Sequence, residues 1–300
     1  SLGSCLTLLL LRLLYRAEKN PQGPKIPVRS RILSAAVPLA LADTLKSGIG
    51  TLENLMVPKR LALALRDPLA AFGRISGMVF PILMFPACIL FGLSELLIPE
   101  LARCSCSGGE KRIHYLLHKS LRVSLLYGTA FGGILFLSAE KLCCKLYGSP
   151  EAGLLLRQYA PLVPMLYCDA ITDAITKGLG QQKMAVRYNI ITNCLDVILL
   201  FFLLPRFGMQ GYFFSFLLTH ALNFFLSIRH LLRITGQCIA PYIPLTVAAC
   251  GIGSLWACRS ISSALLACCS FLLLFGSSLA LTGVIRMEDL RWAGRLIGAK

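Results

Sequence analysis

Apolar runs of about twenty residues recur along almost the whole chain, separated by short and mostly basic connections. A helix needs about that length to cross a hydrocarbon core ~30 Å thick, because each residue rises ~1.5 Å. Backbone N–H and C=O groups cannot be left unpaired in lipid, so repeated runs of this kind call for helices. The sequence therefore predicts an all-α polytopic membrane protein. Composition points the same way, with 56% hydrophobic residues, 15% charged residues and a mean hydropathy of +0.71. A water-soluble domain so composed would lack the polar residues to cover its surface.

The net charge of +16 does not indicate nucleic acid, because Lys and Arg are dispersed over alternating connections and form no single patch. Eight crossings are expected, at 32–58, 73–98, 121–138, 154–176, 188–205, 209–228, 240–257 and 262–285. With the basic, Pro-containing linker 16–31 in the cytoplasm, twenty Lys and Arg fall on that side and nine on the other. Membrane insertion favours that asymmetry. The C-terminus is then cytoplasmic, with a basic tail at 286–300 on the membrane surface. Lys59, Arg60, Arg66 and Arg74 go against the trend, and a cavity mouth on the outer side would account for them. Residues 1–15 read as the tail of a truncated transmembrane helix, since Leu2–Leu14 is too short to span and no cleavage pattern follows. The chain is accordingly expected to be a C-terminal fragment.

No connection is long enough for a soluble catalytic domain, and there is no P-loop, dinucleotide fingerprint or Ser/His/Asp arrangement. Neither catalysis nor a cofactor is expected. Most of the thirteen cysteines lie in apolar runs, where they act as small hydrophobes. Cys104 and Cys106, followed by His114 and His118, have a spacing too short for a zinc site, so no metal is expected.

Charge inside the spans carries the functional signal, because ionisable groups at membrane depth are costly and usually line a polar path. Asp43, Lys46, Ser47, Gly50, Glu53 and Asn54 share one helix face, with Leu45, Ile49, Leu52 and Leu55 among the apolar residues around them. Leu52 is expected to pack on the opposite side, so that its truncation mainly costs stability. Two readings of the stripe stand. Asp43 and Lys46 pair at i,i+3 and pin two helices, or the stripe is a cavity wall for a polar or anionic cargo. Glu53, with no cation one turn away, favours the wall. Asp169, Asp173 and Lys177 repeat the pattern at i, i+4, i+8, with Lys177 placed to snorkel. Arg74 joins the candidates from the outer side, and Asp196 and Glu95 are weaker ones.

The stretch Thr51-Leu52-Glu53-Asn54-Leu55-Met56-Val57-Pro58 resembles the stage V sporulation protein B group of polysaccharide flippases. That group belongs to the multidrug/oligosaccharidyl-lipid/polysaccharide exporter superfamily. The resemblance continues through Pro81–Pro86, Leu97–Leu101 and Lys177–Gln182. It is densest at Arg187–Ile191, Leu195–Val197 and Gly208–Phe216, and covers most of 28–235. It implies a fourteen-helix flippase in which 32–235 is the second six-helix lobe and 236–285 the two additional C-terminal helices. It further implies a lipid-linked saccharide as cargo in a bacterial cytoplasmic membrane, and an N-terminal lobe as the missing partner. Competing readings are a cation-coupled multidrug exporter and a non-transporting membrane assembly subunit.

Overall fold

The computed structural model describes residues 6, 8–10, 12–13, 28–237, 242–261 and 263–284. Side chains in the first long helix are described at 40, 41 and from 44 onward. Among the described residues there is no strand; the molecule is an all-α polytopic membrane protein. The chain divides into Ser1–Asp43 and Thr44–Lys300. In the first unit residues 6, 8–10 and 12–13 are helical and exposed, and helix α1 (Val28–Leu61) begins there and ends in the second unit. Most of the linker and the tail at 286–300 lie outside the described residues.

The crossing expected at 73–98 is broken. It consists of α2 (Pro68–Arg74), one π turn (Ile75–Val79) and α3 (Phe80–Met84), followed by a 60° bend into α4 (Cys88–Cys106). Pro86 has no N–H to give, and the Ala87 N–H turns to the Met84 carbonyl at 3.0 Å, an i→i−3 bond. Neighbouring helices take up two carbonyls that the bend leaves without helical partners. Tyr167 Oη donates to the Leu83 carbonyl at 2.8 Å, and Tyr127 Oη to the Pro86 carbonyl at 2.7 Å.

Helix α5 (Glu110–Tyr147) has 38 residues, well beyond the expected 121–138. At ~1.5 Å per residue it is about 57 Å long, so its charged ends stand clear of a ~30 Å core. The connection between the crossings expected at 73–98 and 121–138 shrinks to 107–109, because amphipathic helix continues outside the apolar window. Gly148, at φ 64°, closes α5 in the left-handed conformation that glycine tolerates. Ser149 then caps α6 (Pro150–Tyr159) by accepting from the Ala152 N–H at 3.3 Å. A 3₁₀ turn at Ala160–Leu162 leads into α7 (Val163–Gly178), so the crossing expected at 154–176 is two helices joined at a turn that holds Pro161.

The 54-residue helical run α8 (Gln182–Thr235) doubles back at Gly208, whose φ of 55° and ψ of −129° suit glycine alone. Thr192 meets Asn223, Asp196 meets Ser215 and Thr219, and Tyr188 meets His230, so the two limbs lie antiparallel. The crossings expected at 188–205 and 209–228 are these limbs. Last come α9 (Tyr242–Cys258) and α10 (Ala264–Leu281), which pack on α5, with the Phe271 ring seated over Gly133. Among the described residues three helices are long and apolar enough to cross a membrane, or four if the bent pair counts as one.

Candidate functional site

Helix α7 lies between α5 and the α8 hairpin, and its hairpin side carries Asp169 and Asp173 one turn apart. Asn223 Nδ2 on the second limb donates to Asp169 Oδ2 at 3.0 Å. Asn223 in turn accepts from Thr192 Oγ1 on the first limb at 3.4 Å. One turn along, Asn189 Nδ2 donates to Asp173 Oδ2 at 3.3 Å and to the Ala185 carbonyl at 3.0 Å. The third acid, Asp196, sits on the first limb. Its Oδ1 accepts from Ser215 Oγ at 2.6 Å and from Thr219 Oγ1 at 3.1 Å.

Each aspartate is thus held by a neutral donor and none by a cation, so no charge is neutralised by direct pairing. The second oxygens of Asp169 and Asp173 are buried and have no hydrogen-bond partner among the described residues. Such groups are rare in a finished core, because leaving an acceptor dry and unpaired costs about 1–3 kcal/mol.

Helix α1 adds to these acids from the other side. Apart from Pro58, its half-buried and buried described positions are Ile49, Gly50, Glu53, Met56, Val57, Arg60 and Leu61, a single helical stripe. Glu53 therefore faces the bundle, close enough to Asp196 for the two charges to interact, and forms no hydrogen bond or ion pair among the described residues. Leu45, Leu52 and Leu55 are more than half exposed, which corrects the expectation that Leu52 packs against a neighbour. In lipid an exposed leucine costs nothing, so the apolar face need not be the packed face. Lys46 and Lys177 are exposed and are the cations that act electrostatically on Asp173.

Other candidates lie apart from this row. Arg74 pairs with Glu151 at 2.6 Å, beside a cavity lined in part by Gln158 and Gln210, which bond each other at 3.0 Å. Asn54 and Glu95 are exposed. The side chain of Asp43 lies outside those described. His114 and His118 engage Gln237 at 3.2 and 3.1 Å, and His114 also bonds the Thr235 carbonyl at 3.1 Å, fastening the end of the hairpin to α5.

Sequence reasoning missed Asn189, Thr192, Ser215, Thr219 and Asn223, which hold the acids. The signal was present in Ser215, Thr219, Asn223 and Ser227, polar residues at every fourth position of an apolar run, all buried. An aromatic group flanks the Asp196 end: Phe80 stacks on Phe216 at 5.2 Å, and Phe216 on His220 at 3.9 Å.

Among known proteins, stage V sporulation protein B of Bacillus subtilis (strain 168) is 27% identical over 164 residues. Over that stretch the chain is similar to stage V sporulation protein B. The match takes in 53% of this chain and 32% of that protein, so the chain spans about a third of the relative's length. The relation agrees with the resemblance carried by the motifs around Glu53, Asn189 and Gly208. No family model and no solved structure matches the chain.

Proposed function

We propose that this relative of stage V sporulation protein B is part of a flippase that moves a lipid-linked saccharide across the bacterial cytoplasmic membrane by alternating access. The observation that carries the reading is the row of carboxylates on helices packed against one another, two of them with a buried oxygen left open among the described residues. Polar donors and acceptors beside the acid row suit a hydroxyl-rich saccharide, and Lys46 offers charge to the phosphates that such lipids carry. Helices 44–235 form the lobe, and 242–281 the additional pair. Alternating access needs two bundles about one site. Membrane lipids and a second six-helix bundle are therefore the partners this reading requires. A cation-coupled drug exporter is the second reading, favoured by the same open carboxylate oxygens.

The experiment that separates them uses vesicles holding the chain together with its second bundle. A fluorescent lipid-linked saccharide should become accessible on the far leaflet without an imposed sodium or proton gradient, while a cationic dye should not move. Dye export that depends on a cation gradient, with no saccharide movement, would favour the second reading. The chain reconstituted alone is expected to flip neither. Orientation is tested by thiol labelling. Cys104 and Cys143 are buried, so the useful probes are the exposed Cys106 and Cys144. Impermeant reagent on intact cells should reach Cys144 and spare Cys106, and the reverse pattern contradicts a cytoplasmic C-terminus.

A further inference from the structure

We propose that the elbow at Phe85–Ala87 is a hinge with two hydrogen-bonded settings, and that Tyr127 and Tyr167 hold it in the bent one. A proline kink alone leaves a free carbonyl and no alternative for it. Here the bookkeeping of donors is different. In the bent setting the Leu83 carbonyl takes the Tyr167 hydroxyl and the Pro86 carbonyl takes the Tyr127 hydroxyl. The N–H that would serve Leu83 in an unbroken helix belongs to Ala87, and it is held at the Met84 carbonyl, 3.0 Å away. Straightening returns the Ala87 N–H to Leu83 and releases Tyr167. The Leu83 carbonyl is paired in both settings, and the cost of straightening falls on the released Tyr167 hydroxyl, which biases the joint toward the bent setting. Only the Ile82 carbonyl lacks its helical partner throughout, because Pro86 has no N–H, and that fixes where the span bends.

The surroundings fit a moving joint held by a latch. Tyr167 is 1% exposed, so water cannot replace its hydroxyl at Leu83. The two tyrosines come from different helices, α5 and α7, and their rings lie 6.0 Å apart, which makes one anchor of them. On the far side of the elbow Phe85 is 78% exposed and Ile89 63%, and a side chain added at Gly73, Gly77 or Gly92 would meet nothing within 4 Å. The arms have different attachments. Arm 68–84 rests through Phe72 and Phe80 on Tyr212, Tyr159 and Phe216 of the hairpin and α6. Arm 88–106 is set against α7, where a Cβ at Gly178 would come within 2.9 Å of Leu101. A change of angle would therefore slide the aromatic arm over the Asp196 end of the hairpin while α4 stays in place. The inference stands whatever the cargo is.

The test is a distance across the elbow. Genetically encoded spin labels in place of Leu69 and Leu96, each 73% exposed, report on the two arms by pulsed dipolar EPR in nanodiscs. With ~1.5 Å per residue along each arm, undoing the 60° bend lengthens the label distance by about 5 Å. Tyr127→Phe with Tyr167→Phe should move population to the longer distance, and Pro86→Ala, which restores an N–H to Ile82, should move it further. Helix content checks that each variant is folded. A folded tyrosine variant with the parent distribution would overturn the latch. An unchanged distribution in Pro86→Ala would overturn the hinge, and it decides the matter should the tyrosine pair fail to fold.

Discussion

Helix α7 has two long faces, and they differ in everything except their length. Toward α5 the contact is made by removing atoms. A Cβ at Gly128 would lie 2.7 Å from Pro164 Cα, and one at Gly132 would lie 3.0 Å from the Ala160 carbonyl. Close to it, a Cβ at Gly153 of α6 would meet Glu140 Cα of α5 at 2.7 Å. Small residues let membrane helices approach until dispersion holds them. Toward the hairpin the contact is made by polar groups, with Asp169 and Asp173 each tied through one oxygen and open at the other. One face is finished by close packing; the other keeps two carboxylate oxygens without a partner among the described residues.

The sharpest way to break this comparison is to fill the finished face. Gly128→Leu forces backbone apart, and overpacking of this kind costs about 1–3 kcal/mol or more. Thermal unfolding in detergent should show it as a marked drop in midpoint, or as failure to express. A tolerated leucine would mean that the α5–α7 contact is loose. A smaller effect is expected within the polar face. A double-mutant cycle of Asp196→Ala and Ser215→Ala, read by the same unfolding assay, should give a coupling of about 0.5–1.7 kcal/mol, the usual range for side-chain bonds between membrane helices. Coupling near zero would make Asp196 as open as Asp169. Smallest of all is Leu52→Ala, where the side chain is 54% exposed. It should change stability by less than about 0.5 kcal/mol. A large loss there would show that another helix covers α1.

Much of the fold was legible because periodicity and length are local properties. The helical class, the helices within 240–257 and 262–285, and the reversal between 205 and 209 followed from apolar runs and their interruptions. The helix ends did not. The crossing at 121–138 is too short, since hydropathy ends where the lipid would, whereas the backbone of α5 continues from Glu110 to Tyr147. The bend at Phe85–Ala87 was readable only as prolines. Its angle depends on Tyr127 and Tyr167, far away in sequence. At the site, Asp169, Asp173, Asp196 and Glu53 were visible as charges in apolar helices. Their holders were not, because Asn, Ser and Thr are unremarkable singly and gain meaning only when Gly208 brings 192 against 223. The stripe on α1 was misread in one respect. Hydrophobic leucines were assigned the packed side, as in water, while in a membrane Glu53 and Val57 share the face toward the bundle.

The central claim is that the acid row serves transport and does not hold the fold together. The most direct measurement compares flipping of a lipid-linked saccharide with unfolding temperature for Glu53→Gln and Asp169→Asn, made in the chain assembled with its second bundle. Both changes keep shape and hydrogen-bonding capacity and remove charge. The account predicts flipping reduced about tenfold or more, equivalent to ~1.4 kcal/mol in the barrier, with the unfolding midpoint unchanged. Normal flipping by both variants, or a loss of flipping that only follows a loss of stability, would contradict it.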